Sequence, residues 1–140
     1  MRTEQTMPPY MTIEVKASSK WILVVSEQSV IRDVVERFFK IDGHFVSTAV
    51  DGDEGLIRAR SLPIDLVVLD SDLSLSSTIR DQLKSDEPTA HLPVLWVGVQ
   101  PSVRDFRPGA VTETDGLLTY PFSFAQMREA ANHLLAAESS

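Results

Sequence analysis

The hydrophobic positions of this chain fall into short solid runs separated by stretches with helical spacing. W-I-L-V-V at Trp21–Val25, D-L-V-V-L-D at Asp65–Asp70 and P-V-L-W-V-G-V at Pro93–Val99 each hold at least four consecutive apolar residues. Runs this short and this rich in β-branched valine predict strands buried on both faces, as inside a parallel sheet. His44–Val50, H-F-V-S-T-A-V, predicts another strand, closed by the turn pair Asp51-Gly52, and Gly116–Thr119 a short fifth. Between them Val30, Ile31, Val34, Val35, Phe38 and Phe39 share one helical face that Gly43 ends, with Ser29 or Ser26 as its cap. Leu56, Ile57 and Ala59 mark a short helix that Pro63 stops, and Ile79–Lys84 belong to another. Phe124, Met127, Ala131, Leu134 and Leu135 share a face of the last helix, capped by Ser123. In Gln100–Thr114, residues Pro101, Pro108 and Gly109 oppose helix where the alternation calls for one, so a broken or minimal helix is expected there. Strands alternating with helices, joined by right-handed crossovers, give an α/β fold: one five-stranded parallel sheet with helices on both faces.

Composition changes this picture in three respects. Residues 1–18 are polar, with adjacent Pro8 and Pro9, and are read as a flexible N-terminal arm; the alternation of Met11, Ile13 and Val15 offers an added edge strand as the other reading. The remainder, 19–138, is one domain. A net charge of −7 disfavours direct contact with nucleic acid or an anionic membrane. The absence of cysteine excludes disulfides, thiolate zinc sites and a cysteine nucleophile. No apolar run approaches the roughly 20 residues of a membrane helix, and the first residues lack the apolar core of a signal peptide, so a cytoplasmic protein is expected. His44, His91 and His133 have no metal-ligand spacing and are assigned surface or structural roles, and Trp96 is assigned to the core.

The candidate chemistry centres on Asp70, which the pattern puts at the carboxyl end of a central strand, where open α/β sheets hold their ligands. I-L-V-V followed by an acid, D-L-V-V-L-D, H-L-P-V and Y-P-F before the final helix come in an order and spacing that resemble the receiver domain of bacterial response regulators, from about Lys20 to Leu135. The resemblance implies a flavodoxin-like three-layer sandwich with strand order 2-1-3-4-5 and a phosphoryl acceptor at Asp70. It also implies a Mg²⁺ ion held by Glu27, Asp70 and Asp72, the last through its backbone carbonyl, and a cis peptide before Pro121. Its implied partners are signalling proteins, a histidine kinase or a downstream effector. A homodimer through the face of the fourth helix, fifth strand and last helix is the family's usual interface, here holding the proline-rich segment and Phe106.

Several positions depart from the pattern. The family's first acid of the pair after strand one falls on Ser26, the hydroxyl ending strand four on Gly98, the aromatic switch residue on Leu117 and the lysine before the proline on Tyr120. In phosphoryl transfer a hydroxyl and an ammonium take the charge on the phosphoryl oxygens, and losing one such donor typically costs about 3 kcal/mol, roughly a hundredfold in rate. An atypical, pseudo-receiver-like module with weak or absent phosphoacceptance at Asp70 is therefore expected. A fully phosphorylatable Mg²⁺-dependent receiver is the alternative. For Asp70 the bland reading is a vestigial acid capping the next loop; for Glu27 it is a helix N-terminal acid, and for Ser26 a helix cap. The Tyr120 ring either covers the acidic pocket or lies on the surface. D-S-D-L-S-L also resembles the first motif of haloacid-dehalogenase-type phosphatases, with Asp70 as nucleophile and Asp72 as general acid/base, but the rest of that pattern is missing. A flavodoxin is weaker still, since S-E-Q-S offers no glycine and sets a carboxylate where a phosphate would sit.

Overall fold

The computed structural model describes residues 19–73, 76–98 and 115–139. The arm of residues 1–18, the expected broken helix and Phe106 lie outside the described residues. The strands are β1 (Trp21–Val25), β2 (Phe45–Ala49), β3 (Leu66–Asp70), β4 (Val94–Gly98) and β5 (Asp115–Thr119). They form one sheet in the order β2-β1-β3-β4-β5, every neighbouring pair parallel. This is the flavodoxin-like order. The described helices are α1 (Ser29–Ile41), α2 (Gly52–Ser61), α3 (Ser76–Ser85) and α4 (Phe124–Ser139).

Alternation along the inner strands sorts the core into two layers. Ile22 and Val24 of β1, Leu66 and Val68 of β3, and Leu95 and Val97 of β4 face α1 and α4, where Ile31, Val35, Phe39, Met127 and Leu134 meet them. Their neighbours Leu23, Val25, Val67, Leu69, Val94 and Trp96 face α2 and α3 and pack on Leu56, Ala59, Ile79 and Leu83. The two-sided burial predicted from the solid apolar runs follows from this period of two. Gly55 lets α2 lie close on β1: a Cβ there would stand 2.9 Å from a methyl of Val25. Gly43 ends α1 at φ 88°, a conformation that a side chain disfavours.

Helix starts differ in part from the sequence reading. Ser123 does cap α4: its Oγ accepts from the Gln126 N–H at 3.0 Å while Gln126 Oε1 accepts from the Ser123 N–H at 2.9 Å, a reciprocal capping box. Neither Ser26 nor Ser29 caps α1. Gln28 is the N-cap residue and makes no side-chain cap bond. Ser26 lies too early in the chain to reach the helix amides, and its hydroxyl turns inward across the sheet ends.

Candidate functional site

Register brings the site together. Val25 is paired with Leu69 and Asp70 with Val97, so residues 26, 70 and 98 come at the carboxyl ends of three adjacent strands. Asp70 is 1% exposed and Ser26 fully buried. A buried carboxylate must be met by donors, and the local sequence supplies three. Ser26 Oγ donates to Asp70 Oδ2 at 2.7 Å and Gln28 Nε2 to the same oxygen at 3.3 Å. The Asp72 backbone N–H donates to Oδ1 at 2.9 Å, an Asx turn that bends the chain out of β3. Ser26 Oγ in turn accepts from the Gln28 N–H at 3.0 Å, and Arg32 Nη1 donates to the Ser26 carbonyl at 2.7 Å. The site is thus a closed hydrogen-bond network of β1 end, β3 end and first turn of α1.

Asp72 joins it through its backbone N–H alone, and the Glu27 side chain stands outside it. Both side chains are exposed, and among the described residues no group of three or more His, Cys, Asp or Glu side chains is placed to hold a metal ion. The expected set needs only two side chains, Glu27 and Asp70, with the Asp72 backbone carbonyl as its third ligand, and it is not such a cluster of three side chains. With a hydroxyl at position 26, Asp70 is satisfied by hydrogen bonds, while the two outer acids stay in water, where solvation is strongest. Position 26 itself is a poor contributor to a divalent cation: Mg²⁺ requires a near-ideal octahedron of oxygens and gives up its water reluctantly, so it leans on carboxylates, and Ser26 offers only a neutral hydroxyl already bonded to Asp70.

The three remaining departures fall where the strands predict. Gly98 closes β4, buried, and its carbonyl accepts from the Tyr120 N–H at 2.7 Å. Leu117 of β5 packs on the Trp96 layer. The Tyr120–Pro121 peptide is cis. The Tyr120 ring does not lie free on the surface: half-buried, it packs against the layer of α1 and α4, edge-on to Phe122 at 5.6 Å between ring centres. A phenol held this way supplies no cation to Asp70.

Gln28 and Arg32 are the site residues that sequence reasoning missed. A signal was present in the spacing, since a serine just past a strand end accepts from the amide two residues on in an ST turn, and a residue in the first helical turn faces that end. His44 has the structural role assigned to it: Nδ1 accepts from the Lys20 N–H at 2.9 Å, and Nε2 lies 3.5 Å from Asp42.

No family model matches the chain. Among curated proteins it is 33% identical over 116 residues to the DNA-binding dual master transcriptional regulator RpaA of Synechocystis, covering 81% of this chain and 48% of that protein. Among solved structures it resembles Vibrio cholerae chemotaxis protein CheY4, with TM-score 0.73 and 20% identity over 84% of this chain and 99% of that one. It also resembles the receiver domain of a Pseudomonas aeruginosa sensor histidine kinase, described with magnesium coordinated in its active-site cleft, with TM-score 0.71 and 19% identity over 85% and 99% of the two chains. The chain is a response regulator receiver domain. It spans about half the length of the curated relatives it matches. In this receiver domain Asp70 stands where the resemblance sets the phosphoryl acceptor. Among the described residues no helix is long and apolar enough to cross a membrane.

Proposed function

We propose that this receiver domain works as a regulatory interaction module of a two-component pathway, with weak phosphoacceptance at Asp70. The observation that carries the reading is the packing of Tyr120 against Phe122 and the α1/α4 layer. The position from which an ammonium would neutralise the phosphoryl oxygens is committed to the core instead. Gly98 supports the same reading, because a residue without a side chain offers no hydroxyl to the transferred group. In acceptance an Asp70 oxygen attacks phosphorus as the donor's bond to phosphorus breaks, P–N in a phosphohistidine or P–O in an acyl phosphate, and the leaving group departs with its electron pair. Charge then gathers on three equatorial oxygens, and two of the side-chain donors suited to it are not supplied here.

Signalling then depends on surface contact with a kinase or effector, and a homodimer through β5, α4 and the segment before them is the self-association this reading allows. A net charge of −7 weighs against direct DNA contact by this domain.

The deciding experiment is incubation with a small-molecule phosphodonor and Mg²⁺, followed by intact-mass measurement. Slow, partial addition of one phosphoryl group is expected. Rapid, near-complete addition that disappears in Asp70→Asn would overturn the reading and restore a fully phosphorylatable receiver. Catalytic turnover of a phosphate ester, lost in Asp72→Asn, would instead point to the phosphatase.

A further inference from the structure

We infer that the Ser26 hydroxyl stands in for the divalent cation of a metal-binding receiver pocket, so that the pocket is closed on itself and a single carboxylate at position 26 would open it to metal. The inference rests on the receiver reading for what the pocket is, and it explains why Asp70 is tolerated there. Ser26 is fully buried, and its proton has one strong acceptor, Asp70 Oδ2 at 2.7 Å, against 3.3 Å to the Gln28 carbonyl. Asp70 Oδ2 therefore already receives a hydroxyl hydrogen and, from Gln28 Nε2 at 3.3 Å, an amide hydrogen. Oδ1 receives the Asp72 N–H.

A cation entering here would have to displace the hydroxyl proton from Oδ2, and position 26 would give it only a neutral oxygen in return. The network is also held from behind. Arg32 Nη1 clamps the Ser26 carbonyl at 2.7 Å and the Gln28 N–H holds Ser26 Oγ at 3.0 Å, so the hydroxyl is pinned toward Asp70 from two sides. A negative charge at position 26 reverses the preference. An aspartate at position 26 would face Asp70 in the same buried space, two like charges that repel until a cation or a proton comes between them. Hard oxygen ligands with two negative charges are what Mg²⁺ and Mn²⁺ prefer.

The test uses the full chain without any phosphodonor, so its outcome is separate from that of the phosphorylation assay. Mn²⁺ binding is followed by electron paramagnetic resonance of the free ion, and Mg²⁺ binding by the thermal unfolding midpoint, which rises when a ligand binds only the folded state. Wild type is expected to show no saturable Asp70-dependent binding up to about 10 mM ion and no Mg²⁺-dependent rise in midpoint. Ser26→Asp is expected to unfold at a lower temperature than wild type without metal. It should regain its midpoint as Mg²⁺ is added and bind Mn²⁺ roughly tenfold or more tighter than wild type, a gain abolished in the double variant with Asp70→Asn. A folded Ser26→Asp protein that binds no tighter than wild type overturns the inference. So does saturable wild-type binding that Asp70→Asn removes, and this second measurement decides the matter if Ser26→Asp does not fold.

Discussion

Asp115 opens β5 as an acid whose side chain is 3% exposed, and two cations of α3 make that burial tolerable. Arg80 Nε lies 2.6 Å from Oδ2 and Lys84 Nζ 3.7 Å from Oδ1. Removing one partner of a buried pair typically costs about 3–5 kcal/mol. Here Arg80 is 31% exposed and Lys84 stays in place, so Arg80→Ala is expected to destabilise by about 2 kcal/mol in urea unfolding. Arg60→Ala removes an ion pair with Asp86 at a similar 2.7 Å but on the surface, and a loss below about 0.5 kcal/mol is expected. Equal losses would mean that burial does not set the value of the Asp115 pair. The pair was not legible in the sequence, because its partners are 35 positions apart and meet only once β5 is laid beside β4 in the sheet. Asp70 and Ser26 were legible as strand-end residues, since apolar runs mark where strands stop. The bond between them was not: the same serine reads equally as a helix cap, and only the register of β1 on β3 aims it at the acid.

At the scale of elements, the solid runs of β1, β3 and β4 were legible because both faces are buried, whereas the start of α1 was misread because its N-cap residue, Gln28, makes no side-chain capping bond. The start of α2 has the opposite character. Asp51 Oδ1 accepts from the Glu54 N–H at 2.8 Å, meeting one orphan amide of the helix, and Glu54 Oε1 accepts from the Val50 N–H just before the cap at 2.9 Å. Asp51→Ala is expected to destabilise by about 1 kcal/mol. Glu54 adds a pH dependence: the Val50 N–H first, then Arg58, hold its carboxyl below the ordinary value of 4.5. A carboxyl lowered in the folded state stabilises fully above that value, and the contribution is lost as the pH falls through the lowered one. Being exposed, it contributes little. Urea midpoints of wild type and Glu54→Gln should therefore differ near neutral pH and converge in acid. A difference that persists unchanged in acid would rule out the carboxylate as its source.

At the scale of the whole molecule, β1, β3 and β4 each belong to both core layers, since successive residues point to opposite faces. One layer cannot melt without stripping cover from strands that the other layer needs, and the ladders joining these strands are common to both. Folding should therefore be a single cooperative transition, and the placement of the tryptophans allows a strict test. Trp96 and Trp21 both belong to the α2/α3 layer, whereas Leu95 is fully buried in the α1/α4 layer. Leu95→Ala leaves a cavity on the face away from both indoles and is expected to destabilise by about 2–5 kcal/mol. If the layers are one unit, tryptophan fluorescence and far-ultraviolet circular dichroism will report the same lowered urea midpoint, as two-state unfolding requires. A fluorescence midpoint that stays at its wild-type value while the helical signal falls early would mean that the α1/α4 layer unfolds on its own. The Tyr120–Phe122 packing lies in that layer, so independent unfolding would also make the placement of Tyr120 separable from the stability of the sheet.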